Sequence, residues 1–165
     1  MPETLAFENE VARITFDRNV AVTAWFDAPR AALELREMEK VGKKISAQYK
    51  ESTALFNVIV SGTPSFNDEV RKEVTRISAD DTLYALGSAH VLLVEGFVGS
   101  AVRAFLSTAL TLARAKTPNK VFADVDGAAT WLKGQLEKGP VVWTPGDLVG
   151  LVRRTISQST DHKRK

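Results

Sequence analysis

The chain contains no cysteine, which excludes disulfides, thiolate nucleophiles and cysteine-ligated zinc and fits a reducing compartment. Histidine is nearly absent as well. His90 and His162 are the only two, one inside an apolar stretch and one near the C-terminus, so no histidine-based metal centre or nucleophile–base triad can be assembled. No window approaches eighteen uninterrupted apolar residues, and the opening MPETLAFENEV lacks a basic segment followed by an apolar one. A soluble, cytoplasmic protein without membrane insertion is the expectation. A strong charge of one sign is also missing: 22 Lys and Arg face 20 Asp and Glu, a formal charge of +2. Much of that excess lies in DHKRK and in Arg153 and Arg154. The other basic residues stand beside acidic ones, as in LELREMEKVGKK, rather than in a stripe interleaved with aromatics, so specific nucleic-acid binding is not expected.

What is present is enough apolar sequence for one core, 44 % hydrophobic over 165 residues. VARITF (Val11 to Phe16) and VAVTAWF (Val20 to Phe26) alternate on either side of Asp17-Arg18-Asn19 and read as a β-hairpin. Asp27 offers a cap ahead of Pro29, after which Ala31, Leu35, Met38, Val41, Ile45 and Tyr49 recur at helical spacing. ALFNVIV (Ala54 to Val60) is a central strand interrupted by Asn57, and NDEVRKEVTRIS is a short helix with Val70, Val74 and Ile77 inward. His90 to Val94 forms the next strand. Val98, Val102, Phe105, Ala109 and Leu112 then mark a helix apolar on more than half its circumference. Lys120 to Phe122 is a last short strand, and Asp124 caps a helix with Val125, Ala128, Ala129, Leu132 and Leu136 inward.

Residues 1–140 therefore read as a single α/β domain with its elements in the order ββαβαβαβα. An added C-terminal helix follows in 141–157, where Thr144 caps, Pro145 takes the first helical position, and Leu148, Leu151, Val152 and Ile156 form an apolar stripe. Residues 158–165 read as a solvated basic tail.

Few residues carry chemistry. Gly96 and Gly99, in EGFVGSAVR between a strand and a helix, have the look of a phosphate cradle. The lysine and hydroxyl of a P-loop are missing, and Glu95 would repel an anion, so the glycines shape a turn. His90 reads as a satisfied core residue beside Asn57, since a buried imidazole and a buried amide each need a partner. Asp80-Asp81 and Asp124-x-Asp126 stand where capping explains them. Trp131 falls on the inward stripe of its helix. Trp25 falls out of phase with Val22, Ala24 and Phe26, so it is expected to face outward on the hairpin as a contact residue.

The segment HVLLVEGFVGSAVRAFLSTALTLARAKTPNKVFADVDGAATWL resembles the C-terminal half of the SpoIIAA-like branch of the STAS superfamily, including small bacterial proteins of myxobacterial type. KVFADVDGAATWL is its most specific part, and with the earlier elements the likeness runs from Val11 to Leu136. The resemblance implies a STAS-like mixed sheet and a non-enzymatic role as a regulatory or protein-interaction module. The alternative is a small-ligand carrier, holding a lipid or nucleotide between sheet and helices. In anti-sigma factor antagonists of this superfamily, a Ser or Thr after a central strand is phosphorylated to switch partner binding. SGTPSFND occupies that place, which makes Ser61, Thr63 and Ser65 the switch candidates, although the usual D-S-[ST]-G is absent. No cofactor and no metal are expected. The expected partner is another protein or a second copy, met through Trp25 or through the C-terminal helix, whose stripe of Leu148, Leu151, Val152 and Ile156, with its rim of Arg153 and Arg154, docks either on its own domain or on a second copy.

Overall fold

A computed structural model describes residues 3–26, 32–62, 68–94, 100, 103, 104 and 116–163, the last six by backbone alone. Its strands are β1 (Thr4–Glu8), β2 (Ala12–Asp17), β3 (Val20–Trp25), β4 (Ala54–Ile59), β5 (Gly87–Leu92) and β6 (Asn119–Phe122). They form one mixed sheet in which spatial order follows chain order. β1 pairs antiparallel with β2 and β2 with β3, while β3 to β6 are parallel. The helices among the described residues are α1 (Leu33–Tyr49), α2 (Asp68–Ala79), α3 (Val125–Leu136) and α4 (Pro145–Lys163).

The expected hairpin, the central strand with Asn57 and the capped helix after the last strand all form. β1 was not anticipated. It is held by Asn9, whose side-chain oxygen accepts from the backbone N–H groups of Val11 and Ala12 at 2.8 Å each, closing the turn into β2. β5 starts at Gly87, three residues before His90, through the small Ser88 and Ala89. The cap at Asp27 with Pro29, the helix from Val98 to Leu112 that includes Phe105, and the turn glycines Gly96 and Gly99 lie mainly or wholly outside the described residues, and none of the named residues is described. α1 is preceded by Ala32, which makes no side-chain cap.

Two apolar clusters lie on opposite faces of the sheet. Ala12, Ile14, Ala21, Trp25 and Leu55 meet Leu35, Met38, Val41 and Ile45 of α1 and Val70 and Ile77 of α2. Val20, Val22, Phe56, Val58, Ala89 and Val91 meet Ala128, Ala129, Leu132 and Leu136 of α3 and Leu148, Leu151 and Val152 of α4. Helices on both faces explain why β3 is buried at every residue.

That arrangement overturns one expectation and decides between the alternatives of another. Trp25 does not face solvent: it is 5 % exposed, because the alternation assigned it to a wet face and this sheet has none at β3. The α4 stripe docks on its own domain, one of the two seats expected for it. Leu148, Leu151 and Val152 are fully buried in their own chain, and Ile156 packs half-buried beside them. Arg153 and Arg154 remain exposed, and Arg154 bonds Glu3 across the N-terminal strand at 3.0 Å. The helix also runs on to Lys163, through residues read as a tail; a helix anchored by a packed stripe adds further turns without a new nucleation cost.

Candidate functional site

Because side chains alternate along strands, residues in register on parallel neighbours share a face. Thr23, Asn57, His90 and Val121 stand in register across β3, β4, β5 and β6. This is the face covered by α1 and α2. The opposite face is apolar across the same strands, while here the centre of the sheet carries a row of polar groups in the half nearer the strands' carboxyl ends, where open α/β sheets hold their ligands.

The row is joined by side-chain hydrogen bonds. Trp25 Nε1–H donates to Asn57 Oδ1 at 2.6 Å. Asn57 Nδ2 lies 3.2 Å from His90 Nδ1, and His90 Nε2 lies 3.0 Å from Asn119 Oδ1. Asn119 Nδ2–H in turn donates to the Thr117 carbonyl at 2.9 Å. An indole can only donate and a carbonyl can only accept, so both ends dictate the same direction. His90 accepts at Nδ1 and donates from Nε2, which makes it the neutral Nε2–H tautomer. Burial lowers its pKa from the ordinary value, outweighing Asn119, which acts the other way. A ring with both nitrogens committed to amides, and no carboxylate among the described residues bonded to it, is placed as a strut and not as a general base.

Thr23 Oγ1, beside Asn57 in register, and Glu34 Oε2, in the first turn of α1, have no hydrogen-bond partner among the described residues. The other Glu34 oxygen accepts from Asn9 at 3.0 Å.

The expectation for His90 and Asn57 holds, since they pair as a buried imidazole and amide should. Trp25 was assigned the wrong surroundings, and Asn119 was not considered. Its only signal in the sequence is a lone amide opening the short strand NKVF, and pairing register, which sequence does not display, brings it to His90. Among the switch candidates, Ser61 lies just past β4, exposed, with its hydroxyl donating to the Phe26 carbonyl at 2.8 Å. Thr63 and Ser65 lie outside the described residues. Asp80 accepts from the Thr82 hydroxyl at 2.6 Å and from its backbone N–H at 3.0 Å, and Asp124 accepts from the Gly127 N–H at 2.6 Å, so both serve as local caps. Among the described residues no three His, Asp or Glu side chains gather as metal ligands, and no helix is long and apolar enough to cross a membrane. No protein-family model, curated protein or solved structure matches the chain.

Proposed function

We propose that the chain is a non-catalytic STAS-like module that regulates by binding another protein at the carboxyl end of its parallel strands. The observation that carries this reading is the commitment of the sheet's one imidazole. Its two nitrogens are consumed in bracing strands, so the group best suited to acid–base work holds the frame instead. Ser61 is the switch position at that end. A phosphate there would replace the O–H that donates to the Phe26 carbonyl with a dianion beside that carbonyl, parting the ends of β3 and β4.

The small-ligand reading, with a lipid or nucleotide between sheet and helices, is favoured by one separate observation. The Thr23 hydroxyl is buried without a hydrogen-bond partner among the described residues, and a polar group of a ligand would meet it.

The test is native mass spectrometry of complexes retained by the tagged full-length chain from extracts of its own cells. A stoichiometric protein partner, lost in Ser61→Asp and kept in Ser61→Ala, supports the regulatory reading. A small-molecule adduct released on denaturation moves the conclusion to the ligand carrier. Turnover of any co-purifying compound by the pure protein, abolished by His90→Gln, overturns the non-catalytic assignment.

A further inference from the structure

We propose that the Trp25–Asn57–His90–Asn119 row is a one-way latch across the sheet that opens when His90 takes up a second proton. The argument rests on the direction of the bonds. A charged imidazole donates from both nitrogens, so Nδ1–H would then face Asn57 Nδ2, donor against donor, at a separation of 3.2 Å. Asn57 can turn its oxygen to His90 only by turning its NH2 group toward Trp25 Nε1–H. The indole has no acceptor to offer, and it lies 2.6 Å from the atom that would be exchanged. Whichever way the amide settles, one buried bond of the row is lost.

Among the described residues nothing around His90 offers to neutralise the new charge. The neighbouring strands present Asn57 from β4 and Asn119 and Val121 from β6. The helices packed on this face turn Leu35, Met38, Val41, Val70 and Ile77 inward. Of their buried carboxylates, Glu34 accepts from Asn9 at 3.0 Å through one oxygen, and Glu39 pairs with Arg76 at 2.6 Å and Lys43 at 3.6 Å. Burial lowers the His90 pKa, which agrees with a ring built to stay neutral. The break falls between β4 and β5 or between β3 and β4, because the Nε2–H bond to Asn119 is kept in both protonation states.

The sign follows from linkage. A base whose pKa is lowered by folding adds stability that is complete above its unfolded value of about 6.5 and declines as pH falls below it. The experiment is urea unfolding of the full chain between pH 8 and pH 5.5 in a His162→Gln background, so that one imidazole titrates. The folding constant is expected to be flat at the upper end and to fall by up to about tenfold per pH unit once below about 6.5, as loss of one proton-linked interaction requires.

His90→Gln offers one acceptor and one donor without titrating and should flatten the profile. Asn57→Asp supplies a carboxylate that accepts from Trp25 and from a charged His90 together, so its profile should reverse, with stability lost as pH rises. Nitrogen-detected NMR of the wild-type ring should show hydrogen on Nε2 and a bare Nδ1. A flat wild-type profile, a slope that survives His90→Gln, an Asn57→Asp profile sloping as wild type does, or the Nδ1–H tautomer would each overturn the latch. Should His90→Gln fail to fold, the Asn57→Asp profile and the tautomer decide.

Discussion

At the scale of single residues, the fold depends on places where a donor or a hydrogen atom fits and nothing larger does. Gly42 on α1 is one. A Cβ there would stand 3.0 Å from Tyr84 Cζ and 3.1 Å from Leu83 Cδ2. The Tyr84 ring has little freedom to retreat, because its hydroxyl donates to the Met38 carbonyl at 2.7 Å and its own backbone sits at φ 50. Burial pushes that phenol's pKa upward, so it stays a donor. Alanine at an ordinary helix position gains up to about 1 kcal/mol over glycine. Gly42→Ala should instead cost about 1–3 kcal/mol in urea unfolding, the range for overfilling a packed site. Trp25→Phe leaves Asn57 Oδ1 buried without its donor and should cost about 1–3 kcal/mol for that atom, before any cavity is counted. The His90–Asn57 pair was legible in the sequence because both residues interrupt otherwise apolar strands and each must be satisfied. Trp25 misled because alternation names two faces without saying that both are covered. Asn119 was hidden because its role depends on register between distant segments.

Among elements, the helices were the easier part to read, since their signals are local. Thr144 and Asp147 cap α4 reciprocally, the Asp147 N–H donating to Thr144 Oγ1 at 3.1 Å and the Thr144 N–H to Asp147 Oδ2 at 3.3 Å. Asp124 does the same work at one bond for α3, and Asp124→Ala should cost about 0.5–2 kcal/mol by thermal melting, as loss of such a cap does. β1 was less legible: it is a short edge strand with Leu5 exposed and a register shift between Leu5 and Phe7, so its alternation is weak. Where α4 docks was also beyond local signals, because its stripe fits any apolar surface. Its seat is fixed by a buried pair of hydroxyls, Thr15 Oγ1 and Thr155 Oγ1 at 2.7 Å, with Thr155 donating to the Leu151 carbonyl at 2.8 Å and therefore accepting from Thr15. Leu151→Ala, beside this pair, should destabilise by about 2–5 kcal/mol in urea.

Over the whole molecule, acid should also act through a second set of groups, the carboxylates. Burial alone would raise the Glu3 carboxyl, but a backbone N–H and the Arg154 guanidinium outweigh it and hold the group below its ordinary range. Bonds from Arg76 lower Glu73, and those from Thr82 lower Asp80. Carboxylates with depressed pKa values contribute stability above their unfolded values near pH 4, and that contribution is lost as pH falls through the folded ones. A melting-temperature profile should therefore fall further below about pH 4, and Arg154→Ala should shrink that additional fall. The two apolar clusters also differ in when the chain can complete them. The cluster under α1 and α2 is drawn, in its buried members, from Val11 to Tyr84. The other needs Val20 and Val22 from the start of the chain together with Leu148, Leu151 and Val152 near its end, and the Thr15–Thr155 bond joins residues 140 apart in sequence. During synthesis the first layer can close while the second still waits for α4, leaving one side of the sheet greasy and open. A nascent chain halted at Gly139 should bind a hydrophobic dye that the complete chain excludes, and that interval is when chaperones have something to hold.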